Sequence, residues 1–271
     1  MHIANAAKVM LLAVLAGCGA PDALEPTSLF AQTAAPPSSM GQTATKNVTI
    51  VLVHGAFADA SGWQSVISLL QQDGYKVVAV QNPLSSIAAD VETTKRVIDA
   101  QVGPVVVVAH SYGGAVMTGA AAGNPNVRAL VYVAAFALDA GEPAGPLFEQ
   151  YPSDAPRYFV PDAAGFLYID PAAYPEVFAP DIPRRQAEAM AVAQKPLAAA
   201  TFGQTLQAAA WRTIPSWFIV AQEDRVINPD LERFFAKRMN ARIIEIKSSH
   251  AVLLSHPQAV AKVIRDAAGG I

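Results

Sequence analysis

Ser111 stands in the run Ala109-His110-Ser111-Tyr112-Gly113-Gly114, directly after the apolar stretch Val105 to Val108. A serine hydroxyl becomes a nucleophile when a base takes its proton and when small neighbours let it stand on a tight strand-to-helix turn. The run meets the second need. Gly113 follows the serine by two residues, Ala109 takes the glycine place two residues before it, and a small-residue helical stretch opens near 113. Such a turn lifts the serine above a sheet edge and aims a helix N-terminus at developing negative charge. The plainer alternative is a serine in a glycine-rich turn with no chemistry.

A nucleophile at that place needs a base, an acid to orient the base, and donors for an oxyanion. The chain has five histidines. His2 lies in the N-terminal leader, His54 and His110 flank turns as loop supports do, and His256 adjoins Pro257 at a helix start. His250, in "IEIKSSHAVLLSHP", follows the last strand by a short loop, where a base can reach the elbow; His256 is its rival. For the acid, Asp224 in "VAQEDRVINP" closes the preceding strand and yields the order Ser111, Asp224, His250. Glu223 and Asp139 are alternatives, and pairing with Arg225 or capping a turn is the ordinary role of a surface aspartate. The loop "HGAF" after the first strand offers the N–H of Ala56 or Phe57, to be paired with that of Tyr112; the residues alone leave the choice open.

These positions require a scaffold of alternating strands and helices. Strand patterns fall at 48–55, 76–81, 104–111, 127–136, 216–223 and 241–246, and helical patterns at 62–72, 89–101, 113–124, 230–239 and 257–268. The alternation predicts an α/β fold with a reduced, mainly parallel six-stranded sheet and helices on both faces. Between the fourth and fifth strands, residues 139–212 are rich in proline and aromatic residues, with a hairpin pattern at 157–170 and a helix at 183–194. An insertion of that length is expected to be a lid, because a structureless loop so long is improbable in a compact domain. The net charge of −3, with 15% charged residues, supplies no basic field for nucleic acid or an anionic membrane.

At the N-terminus, Lys8 precedes "VMLLAVLAG", too short to span a bilayer but suited to a secretory signal. Leu15-Ala16-Gly17-Cys18 resembles a bacterial lipobox, so residues 1–18 are expected to be a lipoprotein-type signal with Cys18 as the lipidated residue. The protein is then exported and meets a membrane only through that lipid anchor. Gly19 after the cysteine favours an outer-membrane destination where the host has one. Cys18 is the sole cysteine, which excludes an internal disulfide. Residues 19–46, rich in Ala, Pro, Ser and Thr without periodicity, read as a disordered tether, leaving 47–268 as the folded domain.

Taken together, "VLVHGAFADASGW", "VVVVAHSYGGAV", "AQEDRVINPDLERFFAKRM" and "SSHAVLLSHPQAV" resemble the α/β-hydrolase superfamily, in its lidded branch related to plant methylesterases and hydroxynitrile lyases. The resemblance spans about residues 47 to 268. It implies a serine hydrolase of carboxylic esters working through an acyl-enzyme, with a small-molecule ester as substrate and no metal or organic cofactor. The strands that usually open this fold are missing. A lyase and a non-catalytic small-molecule binder are the alternatives. The lyase relatives place a lysine after the histidine and a threonine after the first motif's histidine, whereas this chain has Ala251 and Gly55.

Overall fold

The computed structural model describes residues 46–270; the expected signal at 1–18, Cys18, and tether residues 19–45 lie outside them. Lys46, expected as the last tether residue, is already attached to the domain. Its N–H donates to the Gly74 carbonyl at 3.0 Å, and its ammonium stands 4.4 Å over the Tyr75 ring.

In chain order, β1 (Thr49–Val53), α1 (Gln64–Gln72), β2 (Lys76–Val80), α2 (Ile87–Asp99), β3 (Val105–Ser111), α3 (Tyr112–Ala120) and β4 (Val127–Ala135) come first. An insertion follows with α4 (Gly145–Gln150), β5 (Phe159–Pro161), β6 (Phe166–Ile169), α5 (Tyr174–Val177), α6 (Arg184–Ala193) and β7 (Leu197–Ala198). The alternation resumes with β8 (Ser216–Ala221), α7 (Pro229–Arg238), β9 (Arg242–Ile246), α8 (Val252–Ser255) and α9 (Pro257–Gly269).

The main sheet has six strands in the order β2-β1-β3-β4-β8-β9, every neighbouring pair parallel. Its central strands are β-branched runs because both faces are covered. Val51, Val53, Val105, Val107 and Ala109 face one core, and Ile50, Leu52, Val106 and Val108 face the other, as a period of two dictates. The first core includes Val116 and Met117 of α3, Leu231 and Phe235 of α7, and apolar residues of the insertion. The second is closed by Val66 and Leu70 of α1 and by Val260, Val263 and Ile264 of α9. Each such side chain contributes about 1.5–3 kcal/mol by burial, so the strand edge that carries the loops is held rigidly.

The insertion has its own small antiparallel sheet, β5-β6-β7. The hairpin expected at 157–170 forms because Asp162 Oδ1 accepts the N–H groups of Ala164 and Phe166 at 2.8 and 2.9 Å, while Gly165 takes φ +81°, a conformation open to glycine. The helix expected at 183–194 is α6, opened by Pro183.

Candidate active site

Ser111 ends β3 and precedes the first residue of α3, with φ 55° and ψ −130°. A non-glycine residue there costs about 1–3 kcal/mol and persists only where packing compels it. The compulsion is visible around it. A Cβ on Gly113 would lie 2.5 Å from the His54 carbonyl oxygen and 2.9 Å from that of Val53; one on Gly114 would lie 2.3 Å from the Phe136 carbonyl oxygen. A Cβ on Gly55 would lie 2.6 Å from Ser111 Cβ. The missing side chains at 55, 113 and 114 are what lets α3, β1 and β4 converge on the serine.

His250 and Asp224 come from the loops after β9 and β8. The His250 Nδ1–H donates to Asp224 Oδ2 at 2.5 Å, and both side chains are wholly buried. Asp224 Oδ1 accepts the N–H groups of Val226 and Ile227 at 2.6 and 2.9 Å. With Nδ1 donating, Nε2 carries the ring's lone pair, and among the described residues it has no hydrogen-bond partner. Ser111 Oγ therefore does not bond it in this state. The Phe178 ring stands edge-on to the imidazole at 4.8 Å. The His110 ring also packs against it at 4.6 Å, and its Nε2 donates to the His250 carbonyl at 2.9 Å. Burial, reinforced by the neighbouring His250, pushes His110 well below the ordinary imidazole range, so it acts as a neutral support of the His250 main chain.

The loop after β1 carries Ala56 and Phe57. The Phe57 N–H is occupied, donating to the Lys195 carbonyl at 3.0 Å, and its own carbonyl accepts the Tyr174 hydroxyl at 3.1 Å. Neither Ala56 nor Tyr112 has a backbone acceptor for its N–H among the described residues; Tyr112 opens α3, where N–H groups lack intrahelical partners. Beneath the loop, His54 Nε2 accepts the Asn82 N–H at 2.9 Å, so its Nδ1–H donates to the Gly55 carbonyl at 2.8 Å. Burial lowers its pKa. The Tyr112 hydroxyl is turned away from Ser111's neighbourhood to donate to buried Asp90 Oδ2 at 2.7 Å.

The alternatives considered from sequence stand apart. His256 bonds Ser255 Oγ at 2.9 Å, Glu223 is exposed beside Lys247, and Asp139 pairs with Arg212. Arg225 pairs with Asp154 at 2.8 Å, not with Asp224.

Beside Ser111 lies an apolar cleft of about 490 Å³, its mouth included. Phe57, Phe136, Phe148, Phe159 and Phe202 line it with Ser111. Three of the five belong to the insertion. Among the described residues no cluster of three His, Cys, Asp or Glu side chains is placed to hold a metal ion.

Residues 50–263 match the Alpha/beta hydrolase family. The chain belongs to that family. It is 26% identical over 249 residues to the alpha/beta hydrolase nvfD of Aspergillus novofumigatus, covering 81% of this chain and 96% of that one. Among solved structures, a pyrethroid hydrolase from Sphingobium faniae JZ-2 superposes with a TM-score of 0.68 at 22% identity, covering 81% of this chain and 96% of the other. A methylesterase from Arabidopsis superposes with a TM-score of 0.69 at 16% identity, covering 83% and 100%.

His54 and His110, read from the sequence as loop supports, do hydrogen-bond loop main chain, but which loops they hold was not legible. The His110 bond to the His250 carbonyl joins residues 140 positions apart, which no local pattern signals. Glu232 had a signal: it shares the buried face of α7 with Leu231, Phe235 and Ala236, and a carboxyl on an apolar stripe calls for a partner.

Proposed function

We propose that this alpha/beta hydrolase family member is a serine hydrolase of small, apolar carboxylic esters. The observation that carries the reading is the buried His250–Asp224 hydrogen bond at the same sheet edge as a serine held at φ 55°. In this reading Asp224 fixes the imidazole tautomer, His250 Nε2 removes the Ser111 proton, and Ser111 Oγ attacks the ester carbonyl. The absence of a Ser111–His250 bond fits a resting enzyme, since such contacts often tighten only with substrate. The tetrahedral oxyanion is received by the N–H groups of Ala56 and Tyr112, because the Phe57 N–H is already spent on Lys195. His250 then gives its proton to the leaving alcohol, and water repeats the sequence on the acyl-enzyme.

The insertion acts as the lid. It supplies Phe148, Phe159 and Phe202 to the cleft, and Asp181 ties it to the His250 loop by accepting the Ser249 N–H at 2.9 Å. A cleft with five phenylalanines and no charged lining side chain favours uncharged substrates, because a buried unpaired charge is costly. The lyase alternative is disfavoured at Gly55, where any Cβ would meet Ser111 Cβ at 2.6 Å. Export, with lipid attached at Cys18, completes the proposal.

The test uses protein lacking residues 1–18. Fluorophosphonate labelling and nitrophenyl ester turnover should both be present in the wild type and absent in Ser111→Ala. A folded wild type that is neither labelled nor active would sink the hydrolase reading in favour of a binding protein.

A further inference from the structure

Glu232 is the one acidic side chain of α7 that points inward. It is wholly buried, and its Oε2 accepts the Ala221 N–H at 3.0 Å. Its Oε1 is buried with no donor in reach. The carboxyl it neighbours is that of Asp224, whose own N–H donates to the carbonyl of the same Ala221 at 3.2 Å, so that both acids gather at the end of β8. Two carboxyls cannot hydrogen-bond unless one keeps a proton, and like charges in contact cannot both ionise in a buried site. The partners decide which one keeps it. Asp224 already accepts three donors, from Val226, Ile227 and His250; Glu232 accepts one.

We propose that Glu232 is a positioning residue that remains protonated and donates its Oε1 hydrogen to the Asp224 carboxylate. This rests on the Ser111–His250–Asp224 reading above. The donated hydrogen bond fixes the rotation of the Asp224 carboxylate and draws off part of its charge. The base His250 thus faces one moderated negative charge instead of two. Burial and the adjacent Asp224 both push Glu232 well above the usual carboxylate range, against the pull of the Ala221 N–H and of Arg233. On α7, Arg233 is committed to Asp230 and Glu245 at the surface; on the β8 loop there is Asp224; behind it stand His250 and the neutral His110.

The test compares wild type, Glu232→Gln and Glu232→Met in the pH dependence of kcat/KM, in fluorophosphonate labelling rate, and in the infrared spectrum. Gln reproduces both contacts, accepting from Ala221 and donating to Asp224. Its acid limb should coincide with that of the wild type. Met fills the volume but donates nothing, so Asp224 holds the imidazolium more strongly. Its acid limb should move to higher pH and kcat/KM should fall roughly tenfold, the scale of one hydrogen bond to a charged group. The wild type minus Gln difference spectrum should contain the C=O stretch of a protonated carboxyl throughout neutral pH. Four results would overturn the proposal. They are a missing band, an acid limb that drops in the Gln variant (Glu232 was then ionised), a Met variant with an unshifted limb, and a Gln variant as impaired as Met. Failure of the hydrolase reading looks different: the wild type itself is unlabelled and inactive, and the positioning role falls with it whatever the infrared band shows.

Discussion

Replacing Gly113 with alanine tests the claim that the serine turn is held by close backbone packing. The added Cβ would sit 2.5 Å from the His54 carbonyl oxygen, 2.9 Å from the Val53 oxygen and 3.0 Å from the His54 carbonyl carbon. All three are main-chain atoms of β1 and the loop after it, so no side chain can swing aside. Reaching ordinary van der Waals contact at 3.4 Å requires α3 and that loop to part by about 0.9 Å. The two sides of the gap carry the Tyr112 and Ala56 N–H groups. Parting them spoils the proposed oxyanion site, and a misplacement near 1 Å costs about 100-fold in rate. Overpacking of this kind costs roughly 1–3 kcal/mol of stability. The expected result is therefore kcat about 100-fold lower with KM little changed, together with a lower Tm in thermal unfolding. Gly203→Ala serves as the control, since a Cβ there meets nothing within 4 Å. A Gly113→Ala enzyme with wild-type kcat and Tm would refute the packing argument.

Three further outcomes are expected. Asp224→Asn should lower kcat on the order of 10⁴-fold with the fold intact by circular dichroism, because the amide no longer selects the tautomer with Nδ1 protonated; a loss under tenfold would remove Asp224 from the assigned role. The proton proposed on native Glu232 is released on unfolding above the ordinary carboxylate range, so it should make stability fall as pH rises from about 4 toward neutrality. Glu232→Gln lacks that slope and should be the more stable protein at neutral pH, with the difference closing in acid; denaturant midpoints measured across pH check the sign, and a Gln variant less stable at neutrality contradicts it. In a lipoprotein-processing bacterium, the full-length chain should partition with membranes and take up labelled palmitate, whereas Cys18→Ser should do neither; equal partitioning of both would end the lipid-anchor proposal.

Strand and helix positions were legible because their signals are local. The continuous apolar runs of β1 and β3 reflect burial on both faces, and the alternation of these runs with amphipathic helices demands a parallel sheet. The turn at Ser111 was legible for a related reason: small residues at 109 and 113 mark a close approach, and at 113 even a Cβ would clash. The choice between Ala56 and Phe57 was not. The proposed preference for Ala56 rests on Lys195, which lies more than a hundred residues away and occupies the Phe57 N–H. The conformations of Phe57 and Ser111, both non-glycine at positive φ, were equally hidden, because packing and not propensity imposes them.

The amino-acid sequence by itself determined the α/β architecture, the six-stranded sheet, the insertion between its fourth and fifth strands and the edge to which Ser111, Asp224 and His250 belong. Periodicity and turn chemistry act over a few residues, and chain order then dictates which loops share a sheet edge. Only the tertiary structure decided how those groups are held. The protonated Glu232 proposed behind Asp224, the His110 donor under the His250 main chain and the phenylalanine-lined cleft join separate elements, in the second case residues 140 positions apart. Hydrogen bonds and packing between distant segments depend on distances in space, which emerge only once the whole core has formed.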